Sequence, residues 1–158
     1  MELYLPEPEE LKRLHRGDRF RDWHVPEGAL PGKILYLQGV QHRDAAAVAY
    51  RWSVPYLMVL PETRMVVGTI GGKGLFAGEE EVEIAYEVAP AERRKGYAAQ
   101  AMELLQCIAR KDNLQLLAHV EPQNTASRRL LSRSGFRCET IFRLPDSLDL
   151  ERWRWLPD

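Results

Sequence analysis

The chain has 158 residues, enough for one core and too few for two independent domains, so a single domain over residues 1–158 is expected. Its 22 basic and 23 acidic side chains leave a formal charge of -1, which offers no footprint for nucleic acid. No apolar run approaches the length of a membrane span, so no membrane partner is expected either.

The opening stretch MELYLPEPEELKRLHRG carries acids and prolines where a signal peptide needs a basic start and an apolar run, so the cytoplasm is the expected compartment. Cys107 and Cys138 have no pairing or zinc spacing; both are expected to be buried thiols, and no metal site is expected.

ELYL reads as a first strand. Pro6 and Pro8 turn it into PEELKRLHR, whose early acids and late bases suit a helix dipole. Residues 17–33 hold three glycines and two prolines around Phe20, Trp23 and Val25, the pattern of a loop packed over something by its aromatic groups. HRDAAAVAYRW reads as a helix with Ala46, Ala49 and Tyr50 on a common face. PYLMVLP and RMVVGTIGG, bracketed by Pro55, Pro61 and a glycine cluster, read as two strands of a hairpin.

EVEIAYEVAP is a further strand. Val82, Ile84, Tyr86 and Val88 share one face, Glu83, Ala85, Glu87 and Ala89 the other, and Pro90 ends it. From about residue 94 to residue 110 the period becomes 3.6: Ala98, Ala101, Met102, Leu105, Ile108 and Ala109 form an apolar stripe that Gln100, Glu103 and Arg110 leave. NLQLLAHV follows as a strand, NTASRRLLSRSG as a short helix closed by Gly135, and FRCETIFRL with LDLERWRWLP as a final pair of strands.

The junction between the EVEIAYEVAP strand and the long helix carries the first chemical signal. Arg93, Arg94 and Lys95 sit where the helix dipole is already positive, and Gly96 falls in what the periodicity makes the first helical turn. No Ser, Thr, Asp or Asn stands close before it, so several backbone amides lack a cap. A bound phosphate would satisfy them, and glycine lets its oxygens approach the main chain. A solvated basic corner with a tolerated glycine accounts for the same residues. The spacing fits neither a Walker loop nor the dinucleotide fingerprint.

RRKGYA, residues 93–98, resembles the Arg/Gln-x-x-Gly-x-Gly/Ala segment of the GNAT superfamily of N-acetyltransferases. VEIAYEVAP is similar to the strand before that segment, and EPQNTASRRLLSRSGF, residues 121–136, to the family's second hallmark. The resemblance implies an α/β fold: a single acyl-CoA N-acyltransferase domain whose mixed, mostly antiparallel sheet splays between its fourth and fifth strands and is flanked by helices. It implies acetyl-coenzyme A as acyl donor. The pyrophosphate would lie on the amides of Arg93, Arg94, Lys95, Gly96 and Ala98, the pantetheine arm on the main chain around Tyr86 and Val88, and Asn124 near the arm. Serine after Asn-x-Ala is closest to the branch that acetylates ribosomal-protein N-termini, where Ser127 would reach the thiol end. As a plain helix, the same segment uses Asn124 as its cap.

Acetyl transfer to an amine needs a proton acceptor, because an alkyl ammonium with a pKa of about 10 has no lone pair. The developing oxyanion also needs a donor, which in the family is a backbone amide near Val88, and the leaving thiolate needs a donor or an acid. Glu83 and Glu87 share a strand face and are the obvious carboxylates, with Glu83 preferred as base and Ser127 placed at the sulfur; an exposed acidic sheet face is the alternative. Many family members carry a tyrosine acid four residues before the Gly-Phe pair, where this chain has Leu131. Candidates for the acceptor site are Trp23, His24, Tyr36, Tyr50, Trp52, Glu87, His119, Trp153 and Trp155, with His24 and His119 as alternative bases. The expected partner is a small-molecule or peptide amine, with homodimerisation left open. A non-catalytic acyl-coenzyme A sensor on the same fold is the rival reading.

Overall fold

The computed structural model describes residues 1–30, 48–76, 78–145 and 148–157. Strand β1 (Glu2–Tyr4) leads into helix α1 (Pro8–Arg16), started by a Glu7–Glu10 capping box with Pro8 in the first turn. The expected HRDAAAVAYRW helix lies partly outside the described residues; its described end is α2 (Val48–Arg51). Strands β2 (Tyr56–Leu60) and β3 (Met65–Gly72) form the predicted hairpin around a single 3-10 turn at Pro61–Thr63. Then come β4 (Glu81–Val88), α3 (Tyr97–Asp112), β5 (Gln115–Val120), α4 (Thr125–Arg133), β6 (Arg137–Arg143) and β7 (Asp149–Trp155).

The strands join in the order β1-β2-β3-β4-β5-β7-β6. Every neighbouring pair is antiparallel except β4 and β5, which run parallel over only Glu81–Glu83 and Gln115–Leu117. Beyond that short ladder the two strands have no mutual pairing, so the sheet is splayed where the family resemblance places the gap.

Strand alternation sends apolar side chains to both faces. On one, Ala101, Met102, Leu105 and Ala109 of α3 pack on Val82, Ile84, Leu116, Ala118, Trp153 and Trp155. On the other, Leu11 and Leu14 of α1, with Phe20 and Tyr50, cover Leu57, Val59 and Val66. The loop after α1 thus packs by Phe20, as its composition suggested. Trp52 joins the two ends of the chain's core: it is fully buried, and its indole Nε1 donates to Asp112 Oδ2 at 2.7 Å, tying the approach to β2 to the last residue of α3.

Three expectations need correction. Helix α3 starts at Tyr97 rather than near residue 94, because Arg94 (φ 63°) and Gly96 (φ 84°) are left-handed and cannot belong to a right-handed helix. Both cysteines are exposed rather than buried. Cys107 points away from the face carrying Leu105 and Ala109, and Cys138 lies on β6, an edge strand exposed at every residue. Gln106, which the apolar stripe omitted, is buried, with its Nε2 donating to Ser134 O at 2.7 Å.

Trp52→Phe removes one hydrogen bond to a carboxylate while keeping most of the apolar contact. It should lower unfolding stability by about 2 kcal/mol, read from urea denaturation.

Candidate functional site

β4 closes with Ala89 N donating to Val67 O at 2.9 Å, and Pro90–Glu92 make one 3-10 turn. Arg93 returns to extended backbone, its Nε donating to Val88 O at 3.0 Å, so this cation braces the end of the strand. Lys95 pairs with Glu92 at 2.8 Å. Arg94 has no hydrogen-bond or ion-pair partner among the described residues. Gly96 is the N-cap of α3, and no side chain caps that end. A Cβ at Gly96 would meet nothing nearer than Gln100 Nε2 at 3.8 Å, so glycine is required by its positive φ and not by crowding within the chain.

This turn opens into a cleft of about 920 Å³ between β4, the start of α3 and α4. Of the residues the sequence assigns to a cofactor, Tyr86, Val88, Arg93, Arg94, Gly96, Ala98 and Asn124 line it, Ser127 joins them, and Lys95 does not. Asn124 is the cap of α4, its Oδ1 accepting from Ser127 N at 3.1 Å. Gly135 (φ 81°) ends that helix as expected. Leu131 is fully buried in the core, where its apolar side chain packs under α3 and the sheet. Sequence reasoning missed Arg129 and Arg133, which add two guanidinium groups to the cleft wall. Their spacing of four along α4, one helical face, was the available signal.

Glu83 lies on the opposite side of β4 from Tyr86, at the last residue paired with β5. Its carboxylate pairs with Lys73 and accepts from His119 Nδ1 at 3.1 Å. Burial pushes this carboxyl upward, but the hydrogen bonds from Lys73 and His119 outweigh burial and hold it below the ordinary carboxylate range. His119 is two residues beyond Leu117, so the Glu83–His119 contact spans the two strands where they part. Phe142 of β6 holds the other side of the imidazole edge-to-face, with ring centroids 5.5 Å apart.

The remaining candidates are scattered. Glu87 is exposed on the rim of the cleft. His24 is exposed, and its main chain is tied to Arg64 and Val66. Trp23 packs on Phe20. Tyr50, Trp52 and Trp155 are core residues, and Trp153 is buried with its indole donating to Glu151 Oε2 at 3.0 Å. Tyr36 lies outside the described residues. Among the described residues, no group of three or more His, Cys, Asp or Glu could hold a metal ion, and no helix is long and apolar enough to cross a membrane.

The acetyltransferase (GNAT) domain model matches residues 3–137. Comparison with curated proteins gives no match. Among solved structures, yncA of Salmonella typhimurium, solved with its cofactor acetyl-CoA, is 28% identical over 60% of this chain and 60% of its own, with a TM-score of 0.51. The chain therefore spans less than two thirds of that protein. A point mutant of the spermidine N-acetyltransferase SpeG of Vibrio cholerae aligns over 99% of this chain and 95% of its own, at 16% identity and a TM-score of 0.69. A GNAT-family acetyltransferase from Bacillus anthracis aligns over 98% and 93%, at 21% identity and a TM-score of 0.64. The last two show the fold alone. With most of its length matched by the domain model and its sheet parted beside a glycine-started helix, this chain belongs to the GNAT acetyltransferase family.

Proposed function

We propose that the protein transfers an acetyl group from acetyl-CoA directly to a primary amine. The observation that carries this is the meeting, in one cleft, of an uncapped helix start, Arg94 without a partner among the described residues, and a β4 edge left without β5. The helix start is suited to a pyrophosphate. The open strand edge presents main-chain groups that need partners, and the amides of a pantetheine arm are partners of the right kind. The related yncA structure holds acetyl-CoA.

A thioester lying in the gap between β4 and β5 would have Ser127 on one side of the sheet and Glu83 on the other. His119 takes up the amine proton with Glu83 behind it: a carboxylate held below its ordinary range is a weak base but a strong orienting group for an imidazole and stabilises the imidazolium that forms. With Nδ1 turned to Glu83, Nε2 is the nitrogen left for substrate. Attack by the amine lone pair forms the C–N bond, the amide near Val88 supports the oxyanion, and Ser127 steadies the departing sulfur. Among the described residues that line the cleft there is no nucleophile with an oriented base, which favours direct attack over an acyl-enzyme. The Asn-x-Ala-Ser segment favours a protein or peptide N-terminus as acceptor, with small amines as the other class. The exposed edge strand β6 supports pairing with a second copy, which light scattering would detect. Leucine at position 131, where many family members carry a tyrosine acid, favours the rival reading of acyl-CoA binding without turnover. Mass spectrometry with acetyl-CoA and a library of amines and peptides separates the two.

Gly96→Val forces a β-branched residue into left-handed backbone, at a strain on the order of 1–3 kcal/mol. Calorimetry should show coenzyme A affinity lost in a variant that remains folded; unchanged affinity would place the pyrophosphate elsewhere.

Glu83→Gln should cut turnover at neutral pH by ~10²–10⁴-fold with little change in coenzyme A affinity. The deficit should narrow as pH rises, because more amine arrives deprotonated. A variant that keeps the acidic limb and the height of the wild-type profile contradicts this role. Ser127→Ala should cost less than Glu83→Gln, since water can solvate the thiolate in its place.

A further inference from the structure

The cleft wall contains a polar group that the proposed chemistry leaves idle. The Tyr86 hydroxyl is buried and has no hydrogen-bond partner among the described residues. Two other buried donors among the described residues share that condition, Arg152 Nε and Arg154 Nε, but both face the Glu139 carboxylate. Tyr86 has no such carboxylate counterpart among the described residues. A buried hydroxyl without a partner is costly, and a phenylalanine would fill the same space.

Tyr86 and Ser127 line the same cleft, and Ser127 is near enough to act on the ionisation of the phenol, although the Tyr86 hydroxyl makes no hydrogen bond in the free protein. Burial pushes the phenol above its ordinary range and Ser127 acts against that shift, so Tyr86 stays protonated at neutral pH. The Ser127 main chain is already fixed by Asn124. Its hydroxyl is the part still free to turn. A donor behind Ser127 Oγ would settle which way the Ser127 proton points: away from Tyr86 and into the cleft.

We propose that Tyr86 is a positioning residue for the thioester end of the cleft, its hydroxyl donating to Ser127 Oγ and thereby aiming the Ser127 O–H at the coenzyme A sulfur. This rests on the acetyl-CoA reading above. When the C–S bond breaks, its electron pair goes to sulfur, which leaves as a thiolate accepting from Ser127; the amine proton goes to the Glu83–His119 pair. No proton need leave Tyr86. Two hydrogen bonds in series polarise each other, so the thiolate is held more firmly than by serine alone.

The test uses bound coenzyme A, whose free thiol can be titrated in the complex by the ultraviolet absorbance of its thiolate. Hydrogen bonds to the charged form favour ionisation, so the bound thiol should titrate about one pH unit lower in wild type than in Tyr86→Phe, a tenfold change in its ionisation constant. Calorimetry at a pH where the thiol is protonated should show equal coenzyme A affinity. Tyr86→Phe should lower kcat about tenfold in wild-type background and leave Ser127→Ala no slower than it already is, because the two hydroxyls act as one unit. Thermal melting of coenzyme-free Tyr86→Phe should not fall, since in the free protein the Tyr86 hydroxyl makes no hydrogen bond to lose. Equal thiol titration in two variants that both bind coenzyme A overturns this inference alone, as do losses that multiply in the double variant. Failure of the wild-type protein to bind coenzyme A overturns the acetyl-CoA reading together with it.

Discussion

Everything about this molecule's site depends on where β4 stops pairing with β5. Three residues of parallel ladder, Glu81–Glu83 against Gln115–Leu117, hold the two halves of the sheet together. After them β4 continues to Val88 with β3 on one side only. A strand edge inside a sheet cannot stay unsatisfied without cost, and water or a ligand must supply what the missing neighbour does not. The gap is kept open because each half is anchored elsewhere: β4 to β3 and α3, β5 to β7.

The end of the same strand sets up the helix start. Arg93 braces the Val88 carbonyl, the chain turns through two left-handed residues, and α3 begins without a side-chain cap. Of the three consecutive cations, two are consumed by these local duties, through the Val88 carbonyl and the Glu92 carboxylate. Arg94 is left facing the cleft without a partner among the described residues, while Arg129 and Arg133 enter from α4. A basic triplet in the sequence therefore does not translate into a triply charged site. The charge around the cleft is assembled from two helical regions instead.

The opposite side of the parting carries a different kind of chemistry. Glu83 is anchored by Lys73 and His119, which makes it more a fixed anion than a free base. The fixed dipole of this cluster and the edge-on Phe142 ring leave the imidazole little freedom. The sheet thus separates a phosphate-directed face from a proton-directed face by the thickness of one strand. Strand alternation alone accomplishes that, since Glu83 and Tyr86 are three residues apart and must point to opposite sides.

Local pattern sufficed wherever one residue's neighbours in the chain are also its neighbours in space. The alternation of β4, the stripe of α3, the Asn124 cap and the Gly135 helix end were legible for that reason, and with the family resemblance they pointed to the fold and the cleft. Tertiary structure decided what depends on contacts across long separations. It paired Glu83 with Lys73 and His119, drew Tyr50 and the tryptophans at 52, 153 and 155 into the core, and left Cys107 and Cys138 in solvent. It also moved the start of α3 past Gly96, because periodicity registers apolar faces and not the sign of φ. The Tyr86 hydroxyl shows the difference most plainly. Alternation says which face a side chain takes, but whether its polar tip finds a partner is settled only when another element is packed against it.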